Sequence, residues 1–209
     1  MRFVGEEPLE IAVLVSGTGT NLQALLESVH GREARIVGVA SSVAGAPALA
    51  RAAERMVPTA VFARSEYPDR AARDEAMADW LEERSVRLVV LAGYMELLGE
   101  VFLERWPGAV INVHPSLLPD FPGLHAIEQA IEHGAETFGV TVHFVDKGID
   151  TGPVILQEAV QLLGVSDPGE VLKALRPLEH ALLPEAVRLF ARGVLSIDPE
   201  NPRRVVIDR

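Results

Sequence analysis

The chain contains no cysteine among its 209 residues. Without thiols it forms no disulfide, iron–sulfur cluster or cysteine zinc site, and it has no thiol nucleophile. Basic residues are also scarce, because 19 Lys and Arg stand against 30 Asp and Glu and give a formal net charge of -11 at pH 7. An acidic protein repels phosphate backbones and anionic lipid surfaces. We therefore expect neither a nucleic-acid partner nor a membrane partner.

Long hydrophobic runs are missing as well. The apolar stretches have the length of single strands and are interrupted by glycine or charge, which predicts no transmembrane segment. Residues 1–10 lack the basic flank and apolar run of a secretory leader, so a cytoplasmic location is expected. With 48% apolar and 23% charged residues, the composition excludes disorder. The length fits one domain over residues 1–209.

Short β-branched runs alternate with segments whose apolar residues recur at helical spacing. Predicted strands cover 11–15, 35–40, 59–63, 88–92, 109–113, 139–145 and 154–160. Predicted helices cover 22–30, 47–56, 69–84, 99–105, 125–133 and 167–192, with a kink or break at Pro184. This alternation predicts an α/β fold with an open, doubly wound, mostly parallel sheet. The two strands within 139–160 have no helix between them and predict an antiparallel extension at one edge, whereas the tail after Gly193 is left unassigned.

Ligands of such sheets bind at the carboxyl ends of the strands, which directs attention to the first strand–helix turn, Ser16–Asn21. The turn has two glycines and three hydroxyls, and free N–H groups at a helix start can hold an anion. It lacks the lysine of a nucleotide-binding P-loop and the third glycine of a dinucleotide fingerprint, so a small monophosphate fits best. The alternative is a plain turn in which Thr20 or Asn21 caps the helix.

A second group of polar residues follows the strand at 109–113. Alternation places Asn112 and His114 on the same side of that strand, facing the cleft. Asn offers an N–H donor for a developing oxyanion, and His changes charge near neutral pH. The loop at 146–153 supplies Asp146 and Asp150, and a carboxylate beside His114 is expected to raise its pKa. These groups suit acyl transfer with a shuttled proton.

Other candidate groups have simpler interpretations. Ser116 follows a proline and lies in no nucleophile elbow, so direct transfer is favoured over a covalent acyl-enzyme. His143 either lines the cleft or packs as a hydrogen-bonded strand residue. His125, His133 and His180 fall in predicted helices and are expected to be structural. No paired histidine spacing supports a metal site, so none is expected.

Four stretches from distant parts of the chain form one combination: SGTGTNL at 16–22, LAGYM at 91–95, NVHPSLLP at 112–119 and DTGPVI at 150–155. Together they resemble the phosphoribosylglycinamide formyltransferases of the folate-dependent formyltransferase superfamily. The third stretch is shared across the superfamily, and the first narrows the resemblance to this one family. The resemblance covers nearly the whole chain and implies a single Rossmann-like formyltransferase domain. Its N-terminal half would bind the phosphoribosyl substrate, and its C-terminal half would carry the catalytic and folate loops.

The resemblance also implies a reaction and a set of residues. A formyl group would pass from the co-substrate 10-formyltetrahydrofolate to the amine of glycinamide ribonucleotide in purine biosynthesis, without a metal. Small molecules would be the only partners of a monomer or homodimer. The implied catalytic residues are Asn112, His114 and Asp150. The implied substrate-binding residues are Gly17, Thr18, Gly19, Thr20, Asn21, Arg176 and Glu179. The implied folate-binding residues are Arg70, Met95, Glu96, Leu97, Leu98, Asn112, Asp146 and Asp150.

Two departures and three rival functions remain open at this point. The first turn reads GTGTN where relatives often have GNGSN, and Glu96 replaces a frequently basic residue. Arg70 either meets the folate tail or is a solvated helix charge. The rivals are methionyl-tRNA formyltransferase, formyltetrahydrofolate deformylase and a non-catalytic module that binds a phosphorylated metabolite. The acidic charge and the absence of added domains speak against the first two.

Overall fold

The computed structural model describes residues 7–201 and 203–208. Its main sheet has seven strands in the order β3-β2-β1-β4-β5-β6-β7. They are β1 (Leu9–Val15), β2 (Ala34–Ser41), β3 (Thr59–Val61), β4 (Leu88–Leu91), β5 (Val110–His114), β6 (Thr137–Phe144) and β7 (Val154–Gln161). The first five strands are parallel, and β6 and β7 pair antiparallel at one edge. The predicted sheet and its antiparallel extension are thus confirmed.

In the described part of the chain, six α-helices cover the two faces of the sheet. They are α1 (Thr20–Ser28), α2 (Pro47–Glu54), α3 (Arg70–Glu82), α4 (Glu100–Leu103), α5 (Ala126–Glu132) and α6 (Pro168–Ala191). Side chains alternate along β1, so that Ile11 and Val13 join the core beneath α1 and α6, whereas Ala12 and Leu14 join the core beneath α3. This is the two-sided burial expected of a doubly wound sheet.

Of the kink or break expected at Pro184, the last helix contradicts the break. Instead of breaking at Pro184, α6 continues for 24 residues with Pro177 also inside it. A proline in a helix interior removes a hydrogen bond and costs about 3 kcal/mol. Here Leu183 and Val187 on either side of Pro184 are fully buried against the sheet, and this packing keeps the helix in place.

The unassigned tail forms a small antiparallel pair, β8 (Leu195–Ile197) and β9 (Val205–Ile207). Each strand has only three residues, which is too short for a pattern of alternation to stand out. The pair touches the main sheet, because Val154 N at the start of β7 donates to the carbonyl of Arg203 at 3.2 Å. Within the described residues, no helix is both long enough and apolar enough to cross a bilayer.

Candidate active site

The order of the strands reverses between β1 and β4, which are hydrogen-bonded neighbours. In an open α/β sheet, a crevice forms at the carboxyl ends of the strands at this point. The loops that follow β1 and β4 are joined there, because Ser16 N donates to the carbonyl of Gly93 at 3.0 Å. Since β5 runs parallel to β4, the residues at its end reach the same edge.

The loop between β6 and β7 reaches this edge by a different route. Because β6 is antiparallel, its last residue, Phe144, pairs with Ile111 near the start of β5. The loop therefore leaves the sheet far from the carboxyl end of β5 and folds back. Asp150 adopts a left-handed conformation with φ 52°, and its Oδ2 accepts a hydrogen bond from Gly123 N at 2.7 Å. This contact holds the loop over the end of β5.

One carboxylate bridges the amide and the imidazole that end β5. Asn112 Nδ2 donates to Asp150 Oδ1 at 3.4 Å, and His114 Nδ1 lies 3.4 Å from Asp150 Oδ2. The side chains of His114 and Asp150 are only 6% and 13% exposed. The structure therefore brings the three predicted catalytic residues together in a place largely shielded from water.

His143 is a fourth member of this group, which the sequence left undecided between cleft and core. Its Nδ1 lies 2.8 Å from the carbonyl of Phe144, and a carbonyl only accepts, so Nδ1 carries a proton. Its Nε2 then lies 3.2 Å from Asn112 Nδ2 and 3.4 Å from Asp150 Oδ1. Nε2 therefore contacts both the amide of Asn112 and the carboxylate of Asp150. His143 is 1% exposed, so it is both a packed residue and part of the cluster.

The proton-exchanging nitrogen of His114 can be assigned in the same way. Nε2 lies 2.9 Å from the carbonyl of Phe121, which requires Nε2 to donate. Nδ1 is therefore the nitrogen that gains or loses the proton, and it is the one beside Asp150. A proton arriving at Nδ1 turns this contact into an ion pair.

Burial decides the direction of the pKa shift of His114, whereas polar contacts decide that of Asp150. Desolvation lowers the pKa of His114 and outweighs the raising effects of the Phe121 carbonyl and Asp150. The expected effect of Asp150 is confirmed, because the carboxylate raises the pKa of His114. The sequence did not predict that burial would outweigh this effect and leave the pKa below its ordinary value. Desolvation alone would raise the pKa of Asp150, but hydrogen bonds from His143 and Gly123 and the two imidazoles hold it at about 2.

A cavity of about 550 Å³ opens beside the cluster. It is large enough for a small-molecule ligand. His114 and His143 lie on its wall. All of the residues that the resemblance assigned to folate also line it, namely Arg70, Met95, Glu96, Leu97, Leu98, Asn112, Asp146 and Asp150. The structure thus places this predicted set around one cavity, and Arg70 is among its lining residues rather than on a remote helix face.

The turn after β1 has the geometry of an anion cradle. Gly19 precedes α1 in a left-handed conformation with φ 75°, and no side chain caps the helix. The alternative in which Thr20 or Asn21 serves as the cap is therefore wrong. Ala48 N donates to Gly17 O at 3.2 Å, and Arg51 Nε donates to Thr18 O at 2.9 Å. These contacts fix the turn against α2 and leave the first amides of α1 without a side-chain partner.

The remaining substrate candidates lie where α6 meets this turn. Asn21 Nδ2 donates to Glu179 Oε2 at 3.3 Å, across 158 residues of chain. Burial raises the pKa of Glu179, against the opposing effects of Asn21 and Arg176. Arg176 is exposed, one turn before Glu179 on the same helix. The part of the chain that the structure describes contains no cluster of three or more His, Asp or Glu side chains arranged to hold a metal ion.

Comparisons with known proteins agree with this geometry. The sequence model of the family described as Formyl transferase matches residues 9–187. The phosphoribosylglycinamide formyltransferase of Haemophilus influenzae is 39% identical over 190 residues, which are 90% of either chain. The crystal structure of glycinamide ribonucleotide transformylase 1 from Symbiobacterium toebii has a TM-score of 0.93 and 42% identity, covering 99% of this chain and 100% of that one.

A longer relative also matches. The trifunctional purine biosynthetic protein adenosine-3 of Drosophila pseudoobscura is 40% identical over 198 residues, which are 93% of this chain but 14% of that protein. The chain therefore spans about a seventh of the length of this relative.

The sheet, the shielded amide–imidazole–carboxylate cluster and the cavity beside it define an α/β group-transfer enzyme. The names of these relatives describe a phosphoribosylglycinamide formyltransferase, a glycinamide ribonucleotide transformylase and a purine biosynthetic protein. The chain belongs to the formyl transferase family, and within it to the phosphoribosylglycinamide formyltransferases.

Proposed function

We propose that the protein transfers a formyl group from 10-formyltetrahydrofolate to the amine of glycinamide ribonucleotide. The products are formylglycinamide ribonucleotide and tetrahydrofolate, in de novo purine biosynthesis. The observation that carries this proposal is the position of Asn112, His114 and Asp150 on the wall of the 550 Å³ cavity. A module that merely binds a phosphorylated metabolite has no need of this cluster.

Two binding regions meet at the cluster. The reduced folate occupies the cavity, whose apolar lining from Met95, Leu97 and Leu98 suits a flat pterin and benzoyl group. The phosphate of the ribonucleotide binds the free amides at Gly19–Asn21, where the helix dipole favours an anion. The N-terminal half thus supplies the phosphate site and the C-terminal half supplies the catalytic residues, with Glu179 returning from α6 to Asn21.

Glu179 and Arg176 complete the ribonucleotide site. The buried carboxyl of Glu179 has a raised pKa, so a hydroxyl or ammonium donor from the substrate stabilises its charged form. The ribose hydroxyls and the glycinamide amine are such donors. Arg176 supplies positive charge close to the phosphate-binding turn.

The reaction proceeds by direct attack. The amine nitrogen adds to the formyl carbon, and the carbonyl electron pair moves onto oxygen. Asn112 Nδ2 keeps one of its two hydrogens on Asp150 Oδ1 and turns the other from His143 Nε2 to this oxyanion, which is the group whose charge develops in the transition state. Collapse of the tetrahedral intermediate breaks the bond between the formyl carbon and N10 of the folate. Holding both substrates beside the cluster supplies the proximity.

His114 carries the proton between the two nitrogens. Its lowered pKa keeps Nδ1 free of a proton at neutral pH, so Nδ1 accepts the proton that the attacking amine must lose. The imidazolium that results is stabilised by Asp150, which stays ionised because its pKa is about 2. The imidazolium then donates the proton to N10 as it leaves.

A single assay tests the proposal. Purified protein is mixed with glycinamide ribonucleotide and 10-formyltetrahydrofolate, and formylated ribonucleotide is measured by mass spectrometry. We expect product only when both substrates are present. Release of formate without the ribonucleotide would indicate a deformylase, and formylation of methionyl-tRNA would indicate the tRNA enzyme. Either result, in the absence of formylated ribonucleotide, would refute the proposal.

A further inference from the structure

The most deeply buried charge in the described part of the chain lies outside the catalytic cluster. Arg73 on α3 is 0% exposed and is the largest of the fully buried side chains, and Asp74 beside it is also 0% exposed. Neither residue lines the cavity or belongs to the phosphate-binding turn. A buried ion pair contributes little net stability, because desolvation offsets the attraction. Their position therefore calls for another explanation.

Apart from their contacts with each other, the polar atoms of this pair reach one segment, the loop 94–99, which is part of the connection between β4 and α4. Arg73 Nη1 donates to Glu96 Oε2 at 3.0 Å, and Arg73 Nη2 donates to the carbonyl of Leu97 at 3.1 Å. Asp74 Oδ2 accepts from the amide of Gly99 at 2.6 Å. The two side chains are joined to each other through Asp74 Oδ1, at 3.1 Å from Nε and 2.8 Å from Nη2 of Arg73.

The loop itself has no regular hydrogen bonding to define its shape. Met95 and Leu97 are 61% and 55% exposed, yet both line the cavity, so packing in the core does not hold them. Gly99 allows the close approach, because a Cβ at this position would lie 2.9 Å from Asp74 Oδ2. The contacts to Arg73 and Asp74 are what fix the loop to the rigid helix α3.

The same network explains the acidic residue at position 96. Its side chain is one-third exposed and lies at the edge of the cavity, where a free carboxylate would repel an anionic ligand. The buried guanidinium of Arg73 pairs with that carboxylate and neutralises its charge. The guanidinium is in turn shared with Asp74, so none of its charge is directed at a ligand.

We propose that Arg73 and Asp74 are positioning residues for the donor site: they hold the loop 94–99 in the conformation that receives the formyl donor. Neither residue touches the reacting atoms. The assignment of a folate donor to this cavity rests on the proposed function, whereas the positioning of the loop does not. Because a preformed loop spares the cost of ordering on binding, loss of the network weakens donor binding.

Kinetics distinguish positioning from a general structural role. The informative variants are Arg73→Met, Asp74→Asn and Glu96→Gln, and the matched control is Asp79→Asn. Asp79 lies on the same helix and pairs with Arg105 at 2.6 Å, but on the exposed side. We expect the KM for 10-formyltetrahydrofolate to rise about tenfold in the three variants. The KM for the ribonucleotide and kcat should change much less, and Asp79→Asn should leave all three parameters as they are.

Two further features keep the test decisive. Glu96→Gln changes a partly exposed side chain, so it serves if Arg73→Met does not fold. The double variant Arg73→Met/Glu96→Gln should lose less donor affinity than the sum of the two single variants. Each single variant already removes the contact between Arg73 and Glu96. Equal losses in kcat and in both KM values, or strict additivity, would overturn the proposal.

Amide hydrogen exchange of the peptide that contains residues 94–99 provides a readout that needs no catalysis. We expect faster exchange in the three variants than in wild type and Asp79→Asn, with the rest of the sheet unchanged. Unchanged exchange in the loop would overturn the positioning role. A wild-type protein without transfer activity would instead refute the proposed function, and the exchange result would still decide the role of Arg73 and Asp74.

Discussion

The hydroxyl of Ser16 accepts a hydrogen bond from the backbone amide of Met95, with 2.9 Å between the two atoms. The same hydroxyl lies 2.6 Å from the hydroxyl of Ser42 at the end of β2. One side chain therefore links the end of β1, where the proposed phosphate-binding turn begins, to the loop that lines the proposed donor cavity. The two proposed binding regions are not independent.

Ser16→Ala should consequently affect both substrates. It removes the acceptor for Met95 N and the partner of Ser42, and we expect a loss of about 1–2 kcal/mol in the free energy of unfolding. The KM values for the ribonucleotide and for the formyl donor should both rise severalfold in steady-state assays. Ser166→Ala, at an exposed position, is the control and should match wild type. A rise in only one of the two KM values would argue against the link.

His114→Ala tests the proton carrier. Loss of a positioned general acid–base lowers rates by about 10²–10⁴, and we expect a fall of this size in kcat with little change in the KM for the ribonucleotide. The measurement is single-turnover formation of formylated product. Turnover close to wild type would show that another group carries the proton.

Asp150→Asn should move the acid limb of the pH profile. The rate falls as His114 becomes protonated, and Asp150 raises the pKa of His114 although burial keeps it below its ordinary value. Removal of the carboxylate lowers that pKa further, so the acid limb of kcat/KM should shift to lower pH while the maximum rate falls. An NMR titration of the His114 ring gives the same pKa without turnover. A shift to higher pH would contradict the assigned coupling.

Glu179→Gln should raise the melting temperature at neutral pH and weaken binding of the ribonucleotide. The pKa of the folded Glu179 is raised from 4.5, so the folded state is favoured below pH 4.5 and loses stability as pH rises through the folded pKa. An amide carries no charge to desolvate, so we expect the variant to melt about 2–4 °C higher at pH 7. The advantage should vanish below pH 4.5. The KM for the ribonucleotide should rise.

Gly19→Ala tests the anion cradle against a matched glycine. A Cβ at Gly19 would lie 2.6 Å from Cβ of Ala48, and the residue has φ +75°, so we expect a loss of about 2–4 kcal/mol and a higher KM for the ribonucleotide. Gly31 has φ +73° but open space around its Cβ position. Gly31→Ala should cost only about 1 kcal/mol of backbone strain. Equal effects in the two variants would rule out a special role for the turn.

The sequence predicted the sheet well because its strands are buried on both faces. Continuous apolar runs such as LVVL in β4, fully buried here, are visible without knowledge of the fold. The break at Pro184 was wrong because the strength of tertiary packing cannot be read from the local sequence. The β8–β9 pair was missed because a strand of three residues is too short to show the alternation of apolar and polar residues. Boundaries elsewhere differ by a few residues, as expected for helix ends that fray.

That the proposed catalytic residues lie close together was predictable from the sequence, but their electrostatics were less so. The residue types at 112, 114 and 150 suggest acyl transfer with a shuttled proton. These residues meet because the loop between β6 and β7 folds back and its Asp150 accepts a hydrogen bond from Gly123. The lowered pKa of His114 could not be predicted from the sequence, because it depends on how completely the folded cleft excludes water. Arg73 was missed for a similar reason: on a predicted amphipathic helix, a charged residue is expected to face solvent.

The contact between Asn21 and Glu179 ties the first helix to the last one. These two residues leave the ribosome at very different times, because 158 residues of chain separate them. The proposed ribonucleotide site is therefore incomplete while α6 is still being translated, even if the sheet has already formed, and it is completed only once the final helix docks.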